Sequence, residues 1–515
     1  MQYSDDLYQL IKSLSKSEKR YFKMQAGLQK GEKDYLLLFD EMDALASKES
    51  GQAHFDEGQL RSRLKGKISS TQFHVLKNYL LGLILKSLRS LSEKNDYEEQ
   101  ITTLLSDARL LEQKGLYDLC FKKLESVKAL CLKYEKYAIA IEACSMEAVL
   151  LTRTTTFGAE EKLQILKSSI DRFSQLLLNI TRYDALRHRI LVIYRLENRV
   201  RSEAAKKKLN SLLAEDLMKA ENLPGTFHSR VSFYHSWALA ALMQGEHEKA
   251  RQCYKSLLDT WTGYPHFKEA HPSLYIIYSS NYLVSCHTMR DYAPFPELLE
   301  ELKCLPVRTA YEEAEAFQNI CFLEQLHFIN SIMLSSFQSF RNKAKSLSEE
   351  IEAGLNKYGN KVVKSRELSL LYNTVVMFFA LGDYDEVLVW AAKIQNALLN
   401  TDQRKEIQLF ARIIQLIIYT ERGEHLYIDN AFKSFEYHLR KEDKLHDFEG
   451  RVTYYLKQVA TKKQDKKTAF QNFSLELEQF RSKKIPGCEE ISIWVESKIR
   501  NLSFWEVLRE RSIEP

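Results

Sequence analysis

Residues 373–394 read NTVVMFFALGDYDEVLVWAAKI. An apolar run ends at Gly382, an aromatic ring follows at Tyr384, and a second amphipathic run opens with Val387. A glycine takes the left-handed conformation that ends a helix at least steric cost. A ring two residues later can pack across two antiparallel helices, and a residue of modest size at the next inward position lets the second helix close on the first. The stretch therefore predicts a helix, a tight turn and a second helix.

The same order recurs. Residues 108–130 read ARLLEQKGLYDLCFKKLESVKAL and residues 237–258 read WALAALMQGEHEKARQCYKSLL. A looser copy, IIQLIIYTERGEHLYIDNAFKSF, begins at Ile413. Another, NYLVSCHTMRDYAPFPELLEEL, begins at Asn281 and has Arg290 where the others have Gly115, Gly245, Gly382 and Gly423. The rings are Tyr117, His247, Tyr292, Tyr384 and His425, and the residues opening the second helix include Cys120, Ala250 and Val387. Cys120, Leu124 and Val127 then follow at helical spacing. These turns and Gly158 fit a period of about 43 residues. Further turns interpolate near 202, 336 and 466, in the polar stretches Arg201-Ser-Glu203, Ser335-Ser336 and 462–467.

This arrangement resembles the tetratricopeptide repeat, most closely at Gly382-Asp-Tyr384-Asp-Glu-Val387 and Gly245-Glu-His247-Glu-Lys-Ala250. The Trp and Leu-Gly of that family's first helix, and its closing Pro, are mostly absent. Its unit is about 34 residues, so a longer period predicts hairpins with extra helical turns. A single hairpin cannot bury its apolar face, so neighbours must stack. The expected fold is all-α: an α-solenoid of stacked antiparallel helix pairs over 99–484, an N-terminal helical domain or cap over 1–98, and a C-terminal capping helix over 485–515.

Composition agrees. The chain has 515 residues, more than one compact core accommodates, yet only 17 Gly and 8 Pro interrupt it. Five prolines (Pro265, Pro272, Pro294, Pro296, Pro306) cluster, leaving long stretches of good helix formers. Basic residues number 74 and acidic ones 69, for a net charge of +5, which singles out neither nucleic acid nor a membrane. The eight cysteines show no C-x-x-C spacing and predict a reducing, cytoplasmic setting. The most apolar stretch, 368–381, is too short to span a bilayer, and the polar start of the chain has no signal-peptide pattern.

The two ends lack the turn. Helices are expected over 5–14, 17–28, 33–46, 56–64 and 71–91, with Ser15, Ser17 and Asp56 as N-caps and a loop over 47–54. Residues 16–23 and 61–67 are locally basic, which admits an alternative: a nucleic-acid-linked regulator whose N-terminal helices touch DNA or RNA. The interleaved Glu18, Asp56 and Glu57 favour solvated helix faces instead. After Ile485-Pro-Gly487, an amphipathic helix or helix pair carries Ile491, Trp494, Val495, Ile499, Leu502, Trp505 and Leu508.

Chemistry leaves few traces. No phosphate loop, dinucleotide fingerprint, zinc-protease motif, nucleophile elbow or EF-hand loop occurs. His266 and His271 lack further ligands, and Cys286 and His287 are adjacent on a helix and diverge. No catalytic residue, cofactor or metal is expected. One pattern remains: nine residues before the turns stand Ser106, Ser236, Asn281 and Asn373, with Ile414 breaking the series. In tetratricopeptide proteins that bind extended peptides, first-helix asparagines on the concave face contact the peptide backbone, since an amide donates and accepts at once. The resemblance maps that role onto Asn281 and Asn373, with Tyr278, Tyr282, His287 and Tyr372 as nearby aromatic contacts. The expectation is a non-catalytic scaffold or adaptor for a protein or peptide partner. The competing reading is that these residues pack between helices.

Overall fold

The computed structural model describes residues 2–27, 34–48, 56–64, 68, 72–92, 96–154, 158–197, 203–219, 224–330, 336–397, 405–423, 425–441, 447–460, 466–481, 485 and 487–513. The interpolated turns at 201–202 and 462–465, the loop at 49–54, Ser335 and the His425 ring lie outside them. Among the described residues every regular element is helical. None is long and apolar enough to cross a membrane. Packing divides the chain into two compact units, Met1–Arg189 with Leu212–Phe233 and Ile190–Ser211 with Tyr234–Pro515.

The first unit begins with α1 (Gln2–Ser13), α2 (Lys16–Gly27), α3 (Asp34–Lys48), α4 (Glu57–Arg63) and α5 (Phe73–Ser92). Ser15 and Glu18 form a capping box, each side chain bonding the other's backbone N–H at 3.2 and 2.6 Å. Asp56 caps α4 by accepting from the backbone N–H of Gly58 and Gln59. Leu7, Ile11, Leu38, Phe39, Met42, Leu80 and Ile84 belong to an apolar core that, among the described residues, is drawn from these five helices and their ends. Four of the basic residues of these stretches are paired: Lys19 with Asp43 (2.6 Å), Lys23 with Asp40 (2.7 Å), Arg61 with Glu57 (2.7 Å) and Arg63 with Glu41 (3.6 Å).

Helices α6 (Tyr97–Gln113), α7 (Tyr117–Lys133) and α8 (Tyr137–Thr154) follow, then α9 (Ala159–Glu197, to Arg189) and α11 (Asp216–Lys219); the end of α9 from Ile190 and α10 (Glu203–Leu213, to Ser211) belong to the second unit. Every glycine singled out as a turn is left-handed: Gly115, Gly158, Gly245, Gly382 and Gly423 have φ between 67° and 82°. Arg290, standing in for glycine, adopts φ 58°. The backbone bond is the same across the series: Leu116 N–H to Leu111 O (3.0 Å), Glu246 N–H to Ala241 O (2.9 Å), Asp291 N–H to Cys286 O (2.9 Å) and Asp383 N–H to Phe378 O (3.1 Å). Cys120, Ala250, Phe295 and Val387, five residues beyond each turn, are fully buried. One further turn is not legible from residue type: Glu135 has φ 55° between α7 and α8, with the same bond from Lys136 N–H to Cys131 O (2.8 Å). A side chain in this region costs about 1 kcal/mol. Arg290→Gly is therefore expected to raise stability by about 0.5–1 kcal/mol in urea unfolding, the gain being trimmed by the freer unfolded chain.

The second unit carries α12 (Phe227–Gln244, from Tyr234 on), α13 (His247–Thr262), α14 (Pro265–Ala270), α15 (Pro272–Thr288), α16 (Phe295–Lys303), α17 (Ala310–Asn330), α18 (Phe337–Tyr358), α19 (Lys364–Leu381), α20 (Tyr384–Ala397), α21 (Lys405–Arg422), α22 (His425–Lys441), α23 (Asp447–Ala460) and α24 (Lys466–Arg481). Helices α15, α17, α19, α21 and α23 pack each on the next, and each also packs on the helix that follows it in sequence. That is why α19 is apolar nearly all round: it is buried from Leu370 to Ala380 except at Tyr372.

The C-terminal segment forms a pair, α25 (Cys488–Arg500) and α26 (Phe504–Ile513). It packs on α24 and reaches further back. Trp494 donates its indole N–H to Glu421 on α21 (2.9 Å) and meets Phe470 of α24. Trp505 meets Phe340 of α18 edge-on (4.6 Å), and Phe504 meets Phe379 of α19 (5.0 Å). One apolar core joins these rings to residues from Cys321 onward.

Candidate functional site

Helix α15 begins with Pro272 at its first position, where a missing N–H costs nothing, and ends at the Arg290 turn. Helices α13, α14, α16 and α17 pack around it. Tyr278 and Tyr282 are 3% and 8% exposed. Tyr278 stands edge-on to His235, with centroids 5.0 Å apart. Burial, followed by the neighbouring Cys286, pushes the Tyr282 phenol up to about 12. His287 is half-buried and burial lowers its pKa, which favours the neutral ring at neutral pH. The least covered stripe of the helix is Leu274, Ile277, Asn281, Val284 and His287, at helical spacing. Asn281 thus lies between two half-exposed aliphatic residues, while the two tyrosines next to it in the sequence reading are packing residues.

Tyr372 and Asn373 sit elsewhere, on α19. Helix α17 packs on both α15 and α19. The Tyr372 hydroxyl donates to Glu490 Oε1 (2.8 Å) and accepts from the backbone N–H of Gly487 (3.1 Å), so it anchors the C-terminal pair. Burial pushes the Glu490 carboxyl above its ordinary range. Asn373 is 8% exposed, and its side-chain Nδ2 is buried without a hydrogen-bond partner. The structure therefore gathers Tyr278, Asn281, Tyr282 and His287 on one helix and separates from them the pair on α19.

Sequence reading missed a polar seam between α17 and α19. Glu315, Gln318, Asn319 and Gln325 of α17 are all buried. The Glu315 carboxylate accepts from Gln318 Nε2 (2.6 Å) and Asn319 Nδ2 (2.8 Å). Arg366 donates to Asn319 Oδ1 (3.0 Å) and lies over the Phe322 ring at 4.1 Å. Gln325 Nε2 donates to Leu370 O (3.0 Å) and Thr374 Oγ1 (2.9 Å). The signal was present in 314–325, AEAFQNICFLEQ, where polar residues recur on a helix too apolar to lie on a surface. These bonds tie the two helices in register, while Gln325 Oε1 is left buried without a hydrogen-bond partner.

A cleft of about 620 Å³ separates α18 from α20. Its floor holds Phe378 and Trp390, with Lys393 over the Trp390 ring at 3.9 Å. Lys393 also pairs with Glu352 (2.6 Å) and Arg341 with Asp383 (3.7 Å), so its charges are spent largely on each other. No protein-family model, curated protein or solved structure matches the chain. The tetratricopeptide likeness therefore rests on the turns and helix pairs themselves.

Proposed function

We propose that the chain is a non-catalytic, cytoplasmic interaction scaffold, in which tetratricopeptide-like hairpins stack into a solenoid and a peptide or helix of another protein docks along α15. One observation carries this reading. A helix otherwise enclosed by its neighbours leaves a partly covered stripe that is apolar at Leu274, Ile277 and Val284 and has a single amide, Asn281, at its middle. Apolar residues exclude water around a docked chain, and the amide can donate to and accept from its backbone. The ion pairs of Lys19, Lys23, Arg61 and Arg63 make the nucleic-acid alternative the second reading, because cations already held by carboxylates contribute less to phosphate binding.

Asn281→Lys is the test. It leaves the buried face of α15 untouched, so the thermal melt should be unchanged. A partner captured from native lysate by the wild-type chain should bind the variant about tenfold more weakly, the worth of a buried hydrogen bond with its desolvated acceptor. Equal recovery on both chains would show that the stripe is not the docking surface.

A further inference from the structure

Cys321 and Glu324 lie one turn apart on α17, and Glu350 faces them from α18. Their ligand atoms all lie within 4.8 Å of one another. Cys321 is 1% and Glu324 8% exposed, while Glu350 is exposed and opens the cluster to solvent. The Cys321 thiol points to Glu350 Oε1 at 3.9 Å, too long for more than a weak contact. Lys303 of α16 pairs with Glu324 (2.8 Å) and also holds Glu300. A second observation concerns His327, one turn beyond Glu324. Its Nδ1 is buried without a hydrogen-bond partner, and the ring lies close enough to feel the charges of Glu324 and Lys303.

We propose that Cys321, Glu324 and Glu350 bind one divalent transition-metal ion of the zinc class, with a water at the fourth position that hydrogen-bonds to His327. A thiolate with carboxylates selects zinc or cobalt over magnesium or calcium, which take oxygen ligands alone. Zinc–sulfur and zinc–oxygen bonds of about 2.3 and 2.0–2.2 Å place tetrahedral ligand atoms about 3.5 Å apart, so closing the site asks for roughly 1 Å of movement. Glu350, at the surface, is free to supply it. Charge favours it as well. One thiolate and two carboxylates carry three negative charges, and the Lys303 ammonium, shared between Glu324 and Glu300, offsets only part of them, so a divalent ion is drawn to the cluster. On binding, the Cys321 S–H bond breaks, its proton passes to buffer, and the sulfur lone pair forms the metal bond. Three protein ligands with an exchangeable fourth make this an open site rather than a closed structural one.

The full chain, stripped with chelator under reducing conditions, is titrated with cobalt(II) and then with zinc. The expected result is a thiolate-to-cobalt charge-transfer absorption that saturates at one metal per chain and is lost when zinc displaces cobalt. Glu350→Gln, a surface change that spares the fold, should weaken cobalt binding by at least about tenfold, the floor for losing even an outer-shell partner. Cys321→Ser should abolish the absorption with unchanged helicity. No charge-transfer band in the wild-type chain, or the same band in Cys321→Ser, would overturn the proposal, the second outcome placing the metal on another cysteine such as the exposed Cys304.

Discussion

Gly487→Ala is expected to loosen the C-terminal helix pair at a cost of about 3 kcal/mol, the larger part of it steric. Gly487 sits at φ 85°, where an L side chain is strained by about 1 kcal/mol. A Cβ there would also fall inside the van der Waals envelope of the Phe410 ring. Phe410 is 1% exposed and packs against Tyr372 at 4.8 Å, so it has little room to retreat. The bond from the Gly487 N–H to Tyr372 would go with it. Urea unfolding read by tryptophan fluorescence includes Trp494 and Trp505 among the chain's five tryptophans, and limited proteolysis should cut before Cys488 in the variant first. A second substitution separates strain from clash. Phe410→Leu should recover part of the loss in the Gly487→Ala background while destabilising the parent. If the two losses simply add, the account of this contact is wrong.

The second large effect belongs to Glu135. Its side chain is 7% exposed and reaches across the first unit to the start of the helix at Phe227. There it accepts from the backbone N–H of Phe227 (2.7 Å) and His228 (3.0 Å), and pairs with His228 Nδ1 (2.7 Å). Backbone N–H groups at a helix start have no partners within the helix, and the positive end of the dipole favours the carboxylate. Burial, the largest single influence, pushes the Glu135 carboxyl up. The hydrogen bonds from the His228 side chain and from both backbone N–H groups together outweigh it, and the carboxyl settles below its ordinary value. Glu135→Ala should therefore destabilise the first unit by about 2–4 kcal/mol, the worth of two charged hydrogen bonds. Because the folded carboxyl is the stronger acid, its contribution is present above the ordinary glutamate range and fades as pH falls through the folded value. A stability difference between wild type and variant that shrinks on acidification fits this picture, and one that grows does not.

Both positions show where sequence reading succeeds and where it stops. A left-handed helix end nearly dictates glycine, so five turns were legible from residue type, and Arg290 followed from its alignment with them. Glu135 occupies the same conformation with nothing in its residue type to announce it. Its compensation comes from Phe227 and His228, far along the chain. Asn281 and Asn373 share one register relative to their turns. Periodicity alone cannot tell that the C-terminal pair meets α19 beside Asn373 and takes up the Tyr372 hydroxyl, whereas Asn281 stays at the surface. The polar seam of α17 and the convergence of Cys321 with Glu350 are likewise products of packing between helices. Their residues were visible, and their neighbours were not.

The partly covered stripe of α15 decides whether the chain binds a partner there. A photo-crosslinking residue placed at Ile277, one turn before Asn281 on that stripe, reports what touches it in native lysate. The same residue at Lys255, exposed on the far side of α13, serves as the comparison. Docking along α15 should give one discrete adduct with another polypeptide from position 277 and none from position 255. No adduct at 277, or the same adducts from both positions, would contradict it.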